Sequence, residues 1–273
     1  MPLKKDGTAK RWVEMEFLAP GTPEQVWQAM ATGPGNAAWF INATIEERVG
    51  GALRFEFGPE MHSSGEVTVW EPPHRFGYVE TEWNEGAPPV ATEITIASRS
   101  GGRCVVRMVH TLFSSSDAWD DQMEGFEEGW PGFFDVLRVY LSHFAGRKAA
   151  SFQAMAMGIA GDGLTIWRRL TDELGLAGAN VGEHRKTPPR PETLSGVVET
   201  VHQTPKIRTV MMRLDAPAPG IALIGIHASA AGIHASLSMF LYGEEGAAQA
   251  EASERLWRDW FAKTFVGGTA ALA

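Results

Sequence analysis

The sequence predicts an α+β fold class built twice over, with antiparallel strands closing on a long helix at the end of each half. Three observations predict it. Short alternating segments punctuated by Gly and Pro follow one another from Arg11 to Phe113, the period-two pattern of half-buried strands. From Asp117 to Phe144, Phe126, Trp130, Phe133, Phe134, Leu137 and Leu141 recur at spacings of three and four, one wide apolar stripe of a helix. The second half then repeats the order of the first. An antiparallel sheet buries one face by wrapping such a helix, which leaves room for a cavity between the two.

The elements follow in order. "RWVEMEFLA" (Arg11 to Ala19) alternates and reads as a strand. In "GTPEQVWQAMA", Thr22 is a helix N-cap, Pro23 takes the first helical position and Glu24 sits at the positive end of the dipole. "ALRFEF" places Leu53, Phe55 and Phe57 on one face and Arg54 and Glu56 on the other. "SGEVTVWEPPHRFGYVETEW" is strand, turn, strand, because Pro72–Pro73 cannot sit inside a ladder. "TEITIASRSGGRCVVRMVHTLF" is a hairpin around Gly101–Gly102. Gly129 and Pro131 predict a bend or restart of the long helix near Trp130.

The repeat is weak but ordered. "APGTPEQVW" aligns with "IAGDGLTIW", "SGEVTVWEPPHRFGY" with "SGVVETVHQTPKIRTV", and "GWPGFF" with "LWRDWF", which matches Trp130 with Trp257 and Phe134 with Phe261. The interval from Trp27 to Gly65 is nine residues longer than that from Trp167 to Gly196. The segment "VGGALRFEF" has no clear counterpart. The Pro-rich "VGEHRKTPPRPETL" stands there and reads as a connector. The boundary is expected near Ala149–Ala150, giving a complete domain over 1–149 and a reduced one over 150–273 that lacks one or two strands, the two packing as a pseudo-dimer.

With 273 residues, 44% hydrophobic and 21% charged, the chain can bury a substantial core. A net charge of −9 argues against a nucleic-acid surface and against anionic lipid. A lone cysteine, Cys104, no apolar leader in "MPLKKDGTAKRW" and no zinc-type Cys/His spacing lead to the expectation of a cytoplasmic protein. Ten Trp and fourteen Phe fill a core or line an apolar pocket.

"APGTPEQVW", "WF" at Trp39–Phe40, "RVGGALRFEF", "GEVTVWEPPHRFGY", "RMVHTLF" and "EGWPGFFDVLRVYL" together resemble the activator-of-heat-shock-protein-90-ATPase-like branch of the SRPBCC superfamily, over roughly residues 10–146. The second half resembles the same fold through the repeat. The resemblance implies two helix-grip (START-type) domains and an internal apolar pocket. In that superfamily such pockets hold lipids, sterols, polyketides or plant hormones; some members are cyclases or aromatases, some sequester toxic ligands, and the eukaryotic activators bind the chaperone. It carries no catalytic motif to transfer.

Candidate sites divide by their chemistry. "GIHASAAGIHAS" places His227 and His234 seven residues apart in a stretch without formal charge. A membrane span needs about 20 mostly apolar residues, and the serines, glycines and turn signals here make it a hairpin. A four-residue Ser-Ala-Ala-Gly loop pairs His227 with His234 and gathers Ile224, Ile226, Ala228, Ile233, Ala235, Leu237, Met239 and Leu241 on the buried face, with Gly232 at positive φ. Two histidines without a third ligand make a poor metal site. His110 shares a face with Cys104, Val106, Met108 and Leu112, as a core histidine or as a polar anchor in a pocket; Cys104 lies about 20 Å from it along the strand and cannot pair with it. Trp39, Phe55, Phe57, Tyr78, Phe126, Trp130 and Phe133 are the candidate pocket lining. The acidic run from Asp117 to Glu128 reads as a solvated helix start.

The expected function is binding of an apolar, polycyclic small molecule by Trp39, Phe55, Phe57, Tyr78, His110, Phe126, Trp130 and Phe133 in the N-terminal domain. No catalytic residue, cofactor or metal is assigned, and no nucleic-acid or membrane partner. Three alternatives stay open: capture of a reactive natural product for self-resistance, a chaperone-regulating module with a protein partner, and a polyketide cyclase or aromatase.

Overall fold

The computed structural model describes residues 3–6, 10–57, 61–114, 116–229 and 232–266. Two compact units divide the chain, Met1–Gly146 and Arg147–Ala273. Both are α+β, each a helix-grip arrangement of one antiparallel sheet and a long helix at its end.

The N-terminal unit contains β1 (Lys4–Lys5), β2 (Lys10–Pro20), α1 (Pro23–Ala31), α2 (Gly33–Ala37), β3 (Asn42–Ile45), β4 (Ala52–Glu56), β5 (His62–Glu71), β6 (Arg75–Glu80), β7 (Val90–Arg99), β8 (Arg103–Phe113) and α3 (Asp120–His143). Its sheet runs β1-β2-β8-β7-β6-β5-β4-β3. β2 alternates as the sequence predicts, with Val13, Met15, Phe17 and Ala19 buried. β8 buries Cys104, Val106, Met108, His110 and Leu112. Gly101 and Gly102 turn the β7–β8 hairpin with φ of 79° and 65°, in a three-residue loop between the paired Arg99 and Arg103, a backbone region that glycine enters without steric cost. Thr22 caps α1 within a capping box: the Gln25 amide donates to its hydroxyl, and the Gln25 side chain accepts from the Thr22 amide at 2.9 Å.

Two expectations need correction here. Of the bend or restart expected near Trp130, the restart is absent: α3 is continuous through Gly129 and Pro131. Proline removes one intrahelical bond, and burial of Phe134, Val136 and Leu137 in the following turns holds the helix on the sheet. The start of the acidic run is also not simply solvated. Arg11, on the buried face of β2, pairs with Asp117 and lies 3.4 Å from Asp120, while Lys5 reaches Asp120 at 2.5 Å. These pairs tie the entry of α3 to the edge of the sheet.

The C-terminal unit contains β9 (Ala149–Ile159), α4 (Gly163–Glu173), β10 (His184–Lys186), β11 (Ser195–Gln203), β12 (Ile207–Ala216), β13 (Gly220–Ser229), β14 (Gly232–Tyr242) and α5 (Gly243–Phe261). The order β10-β11-β12-β13-β14-β9 repeats β4-β5-β6-β7-β8-β2, with no described strand in the place of β3. The segment read as a connector contributes β10, whose His184–Lys186 pair with Ser195–Val197. Three residues are too short for periodicity to reveal.

The repeat preserves one steric requirement. A Cβ on Gly65 would lie 2.0 Å from the Val79 carbonyl oxygen, and one on Gly196 would lie 2.1 Å from that of Arg213. At both places neighbouring strands approach too closely for any side chain, which accounts for glycine at the matched position of each copy.

Candidate functional site

The inner face of the first sheet carries a connected wall of rings. β4 supplies Phe55, 4% exposed, and β6 supplies Tyr78, whose ring centroid lies 5.5 Å away. Phe57 follows β4 and is half-buried. Trp39, after α2, is fully buried and donates its indole N–H to the Ala29 carbonyl at 2.9 Å. α3 brings Trp130 and Phe133, both half-buried. Phe126 belongs to α3, but its side chain lies outside the described residues.

Phe40 joins these groups, and sequence reasoning did not single it out. Its ring lies 4.7 Å from Trp130, 4.9 Å from Phe133, 5.7 Å from Trp39 and 6.3 Å from both Phe55 and Phe57. Its position directly after Trp39, in a short apolar stretch between two helical turns and β3, was the available signal. Only packing reveals that five other rings converge on it. Phe134 extends the wall, stacking on Trp130 at 5.5 Å and on Phe17 at 4.0 Å.

Polar groups interrupt the wall in an ordered row. Pairing places Tyr78 opposite Thr92 and Thr92 opposite His110. His110 is 3% exposed, its Nδ1 lies 2.8 Å from Thr92 Oγ1, and its ring stacks 5.7 Å from Trp130. Burial lowers the imidazole pKa to about 4, so His110 is neutral at physiological pH. Burial, with the nearby Glu80 carboxylate, pushes the Tyr78 phenol up. Glu80 Oε1 accepts from Ser63 Oγ at 2.6 Å, and desolvation raises the Glu80 carboxyl. Ser63, Thr92 and Glu80 also escaped the sequence reading. Thr92 carried a signal, a polar residue among the inward positions of Val90, Ile94 and Ile96.

These residues lie within a span that similarity assigns. Residues 20–142 match the family model described as Activator of Hsp90 ATPase homolog 1-like protein. The N-terminal unit is similar to that family over this span. The match runs from the last residue of β2 almost to the end of α3. Among solved structures, CalU16 from Micromonospora echinospora is 22% identical, over 52% of this chain and 83% of its own, with a TM-score of 0.41. DynU16, from the dynemicin biosynthetic locus, is 18% identical over 92% of this chain and 95% of its own, with a TM-score of 0.42. The di-domain ARO/CYC BexL, from the BE-7585A biosynthetic pathway, is 15% identical over 94% and 96%, with a TM-score of 0.43. No curated protein matches the chain.

Outside the Activator of Hsp90 ATPase homolog 1-like span, the hairpin histidines take the register expected of them. His227 pairs with His234 and Ala228 with Ile233, and Gly232 has φ of 108°, but the ladder continues to Ser229–Gly232, so the loop is shorter than the four residues expected. The ring centroids are 6.4 Å apart on the outer face. Among the described residues no group of three or more His, Cys, Asp or Glu is placed to hold a metal, and no helix is long and apolar enough to cross a membrane.

Proposed function

We propose that the N-terminal unit binds an apolar, polycyclic small molecule between its sheet and α3. The observation that carries this reading is the convergence of Trp39, Phe55, Phe57, Trp130 and Phe133 on Phe40, beside the buried Tyr78–Thr92–His110 row. Flat apolar ligands gain roughly 25 cal/mol per Å² of surface removed from water, and aromatic walls add ring stacking. The polar row supplies orientation: a neutral imidazole and a phenol can exchange hydrogen bonds with ligand hydroxyl or keto oxygens.

Titrating the full chain with 1,8-dihydroxyanthraquinone, followed by tryptophan fluorescence, tests the reading. Saturable quenching is expected, weakened about tenfold or more in Trp130→Ala and Phe40→Ala through lost contact area. Absence of saturable binding, or affinity in both variants equal to that of the parent chain, would overturn it.

Glu80 favours a second reading, acid catalysis on the bound molecule. A desolvated carboxyl with a raised pKa is suited to deliver a proton to a ligand oxygen, as cyclisation or dehydration of a polyketide demands. Under this reading Glu80→Gln retains binding and loses turnover. Retained turnover removes Glu80 as the acid.

A further inference from the structure

Between α1 and the β5–β6 turn, the N-terminal unit opens into a cleft of about 330 Å³ whose lining includes Glu24, Trp27, Glu47, Trp70, Pro72 and Pro73. None of these residues belongs to the wall facing α3. Phe76 stands between the two places, 6.2 Å from Trp27 and 5.3 Å from Tyr78. The indoles of Trp27 and Trp70 meet at 4.9 Å and 70°, making an aromatic corner. Pro72 and Pro73 stiffen the rim and offer no N–H.

The charge balance of the cleft is negative. Glu24 and Glu47 are exposed, and neither forms an ion pair among the described residues. Hydrogen bonds from the Thr22 hydroxyl and the local backbone hold the Glu24 carboxyl below the ordinary range, with His74 nearby contributing in the same direction. The neighbouring Arg48 is engaged by Glu46 at 2.6 Å. Against two carboxylates stands the N-terminus of α1, worth about half a positive charge.

This combination discriminates among cations. A divalent metal needs several converging oxygens, and the cleft offers two carboxylates on an indole floor. A primary ammonium would find acceptors in the two carboxylates and the Gln28 amide oxygen but would leave the indole surface unused. A quaternary ammonium has no N–H to satisfy, and its methyl groups are attracted to aromatic surfaces while nearby carboxylates balance its charge. We propose that this cleft binds the quaternary ammonium group of an organic cation, with the half-buried Trp70 ring, backed by the buried Trp27, receiving its methyl groups and Glu24 and Glu47 balancing its charge.

The test is calorimetric titration of the full chain with choline, and with its uncharged isostere 3,3-dimethyl-1-butanol. Saturable choline binding without isostere binding is expected. Glu47→Gln, at an exposed position, weakens choline about tenfold, and Trp70→Leu weakens it at least as much. Nα-acetyl-Nε-trimethyl-lysine amide separates the sources: tighter binding than choline assigns the group to a methylated lysine of a partner chain, and weaker binding assigns it to a free cation. Equal binding of choline and isostere, no saturation, or unchanged affinity in Glu47→Gln overturns the proposal. Because Glu47 is on the surface, that variant remains informative if Trp70→Leu fails to fold.

Discussion

Trp257 donates its indole N–H to Glu192 Oε2 at 3.0 Å, and this bond distinguishes the interior of the second unit from that of the first. The matched tryptophan of the N-terminal unit, Trp130, instead faces the His110 ring and Phe40. Glu192 Oε1 also accepts from Ser253 Oγ at 2.7 Å and Gln249 Nε2 at 2.9 Å. The loop between β10 and β11 is thereby pinned to α5, and Trp257 and Phe261 are fully buried.

Glu192→Ala removes the acceptor of three donors, two of them on buried side chains. Its expected cost is about 3 kcal/mol, seen as a lower urea midpoint by tryptophan fluorescence. Glu192→Gln keeps one carbonyl oxygen and costs less. Equal midpoints for Glu192→Ala and the parent chain would mean that water replaces the carboxylate.

His110 makes stability depend on pH in a defined window. Its folded pKa, about 4, lies below the ordinary histidine value of about 6.5, so the unfolded chain binds the proton more readily between these values. The stabilisation is complete above about pH 6.5 and is lost progressively toward pH 4, on the order of 3 kcal/mol. Urea melts across that range should lose this increment, and His110→Leu should flatten the slope. Glu14 acts lower: Arg107 and Lys4 hold its pKa at about 2, so its contribution is present above its ordinary pKa and lost as pH falls through about 2. A variant with the same slope between pH 6.5 and 4 as the parent would show that other groups set it.

Gly65→Ala should cost about 2 kcal/mol or more, because the added methyl meets a backbone carbonyl that cannot move without opening the β5–β6 pairing. Gly196→Ala should behave alike. Thermal melts of the two variants check this, and an unchanged melting temperature would count against the close approach.

Phe134→Ala should destabilise by about 3–5 kcal/mol, since the 4% exposed ring stacks on both Phe17 and Trp130. A loss below about 1 kcal/mol would indicate that α3 collapses to fill the space.

Local chemistry made much of the fold legible. Alternation along β2 and β8, the Thr22 cap, the Gly101–Gly102 turn and the His227–His234 register all depend on residues close in sequence. Period, dihedral preference and turn length determine these with little help from the rest of the chain. The aromatic candidates were legible as apolar inward positions, though not as a wall.

Tertiary structure decided what joins distant segments. Phe40 became the centre of the rings because the turn after α2 meets β4 and α3. Arg11 entered a buried face because Asp117 and Asp120 arrive there more than 100 residues later. Ser63 found Glu80, and Glu192 found α5, across gaps no periodicity spans. The sequence by itself determined the strands, the helices and the inward faces, because those follow from covalent geometry and the cost of wetting apolar surface. Which inward groups touch, and hence where ligand chemistry can occur, was decided by packing between segments that only the folded chain brings together.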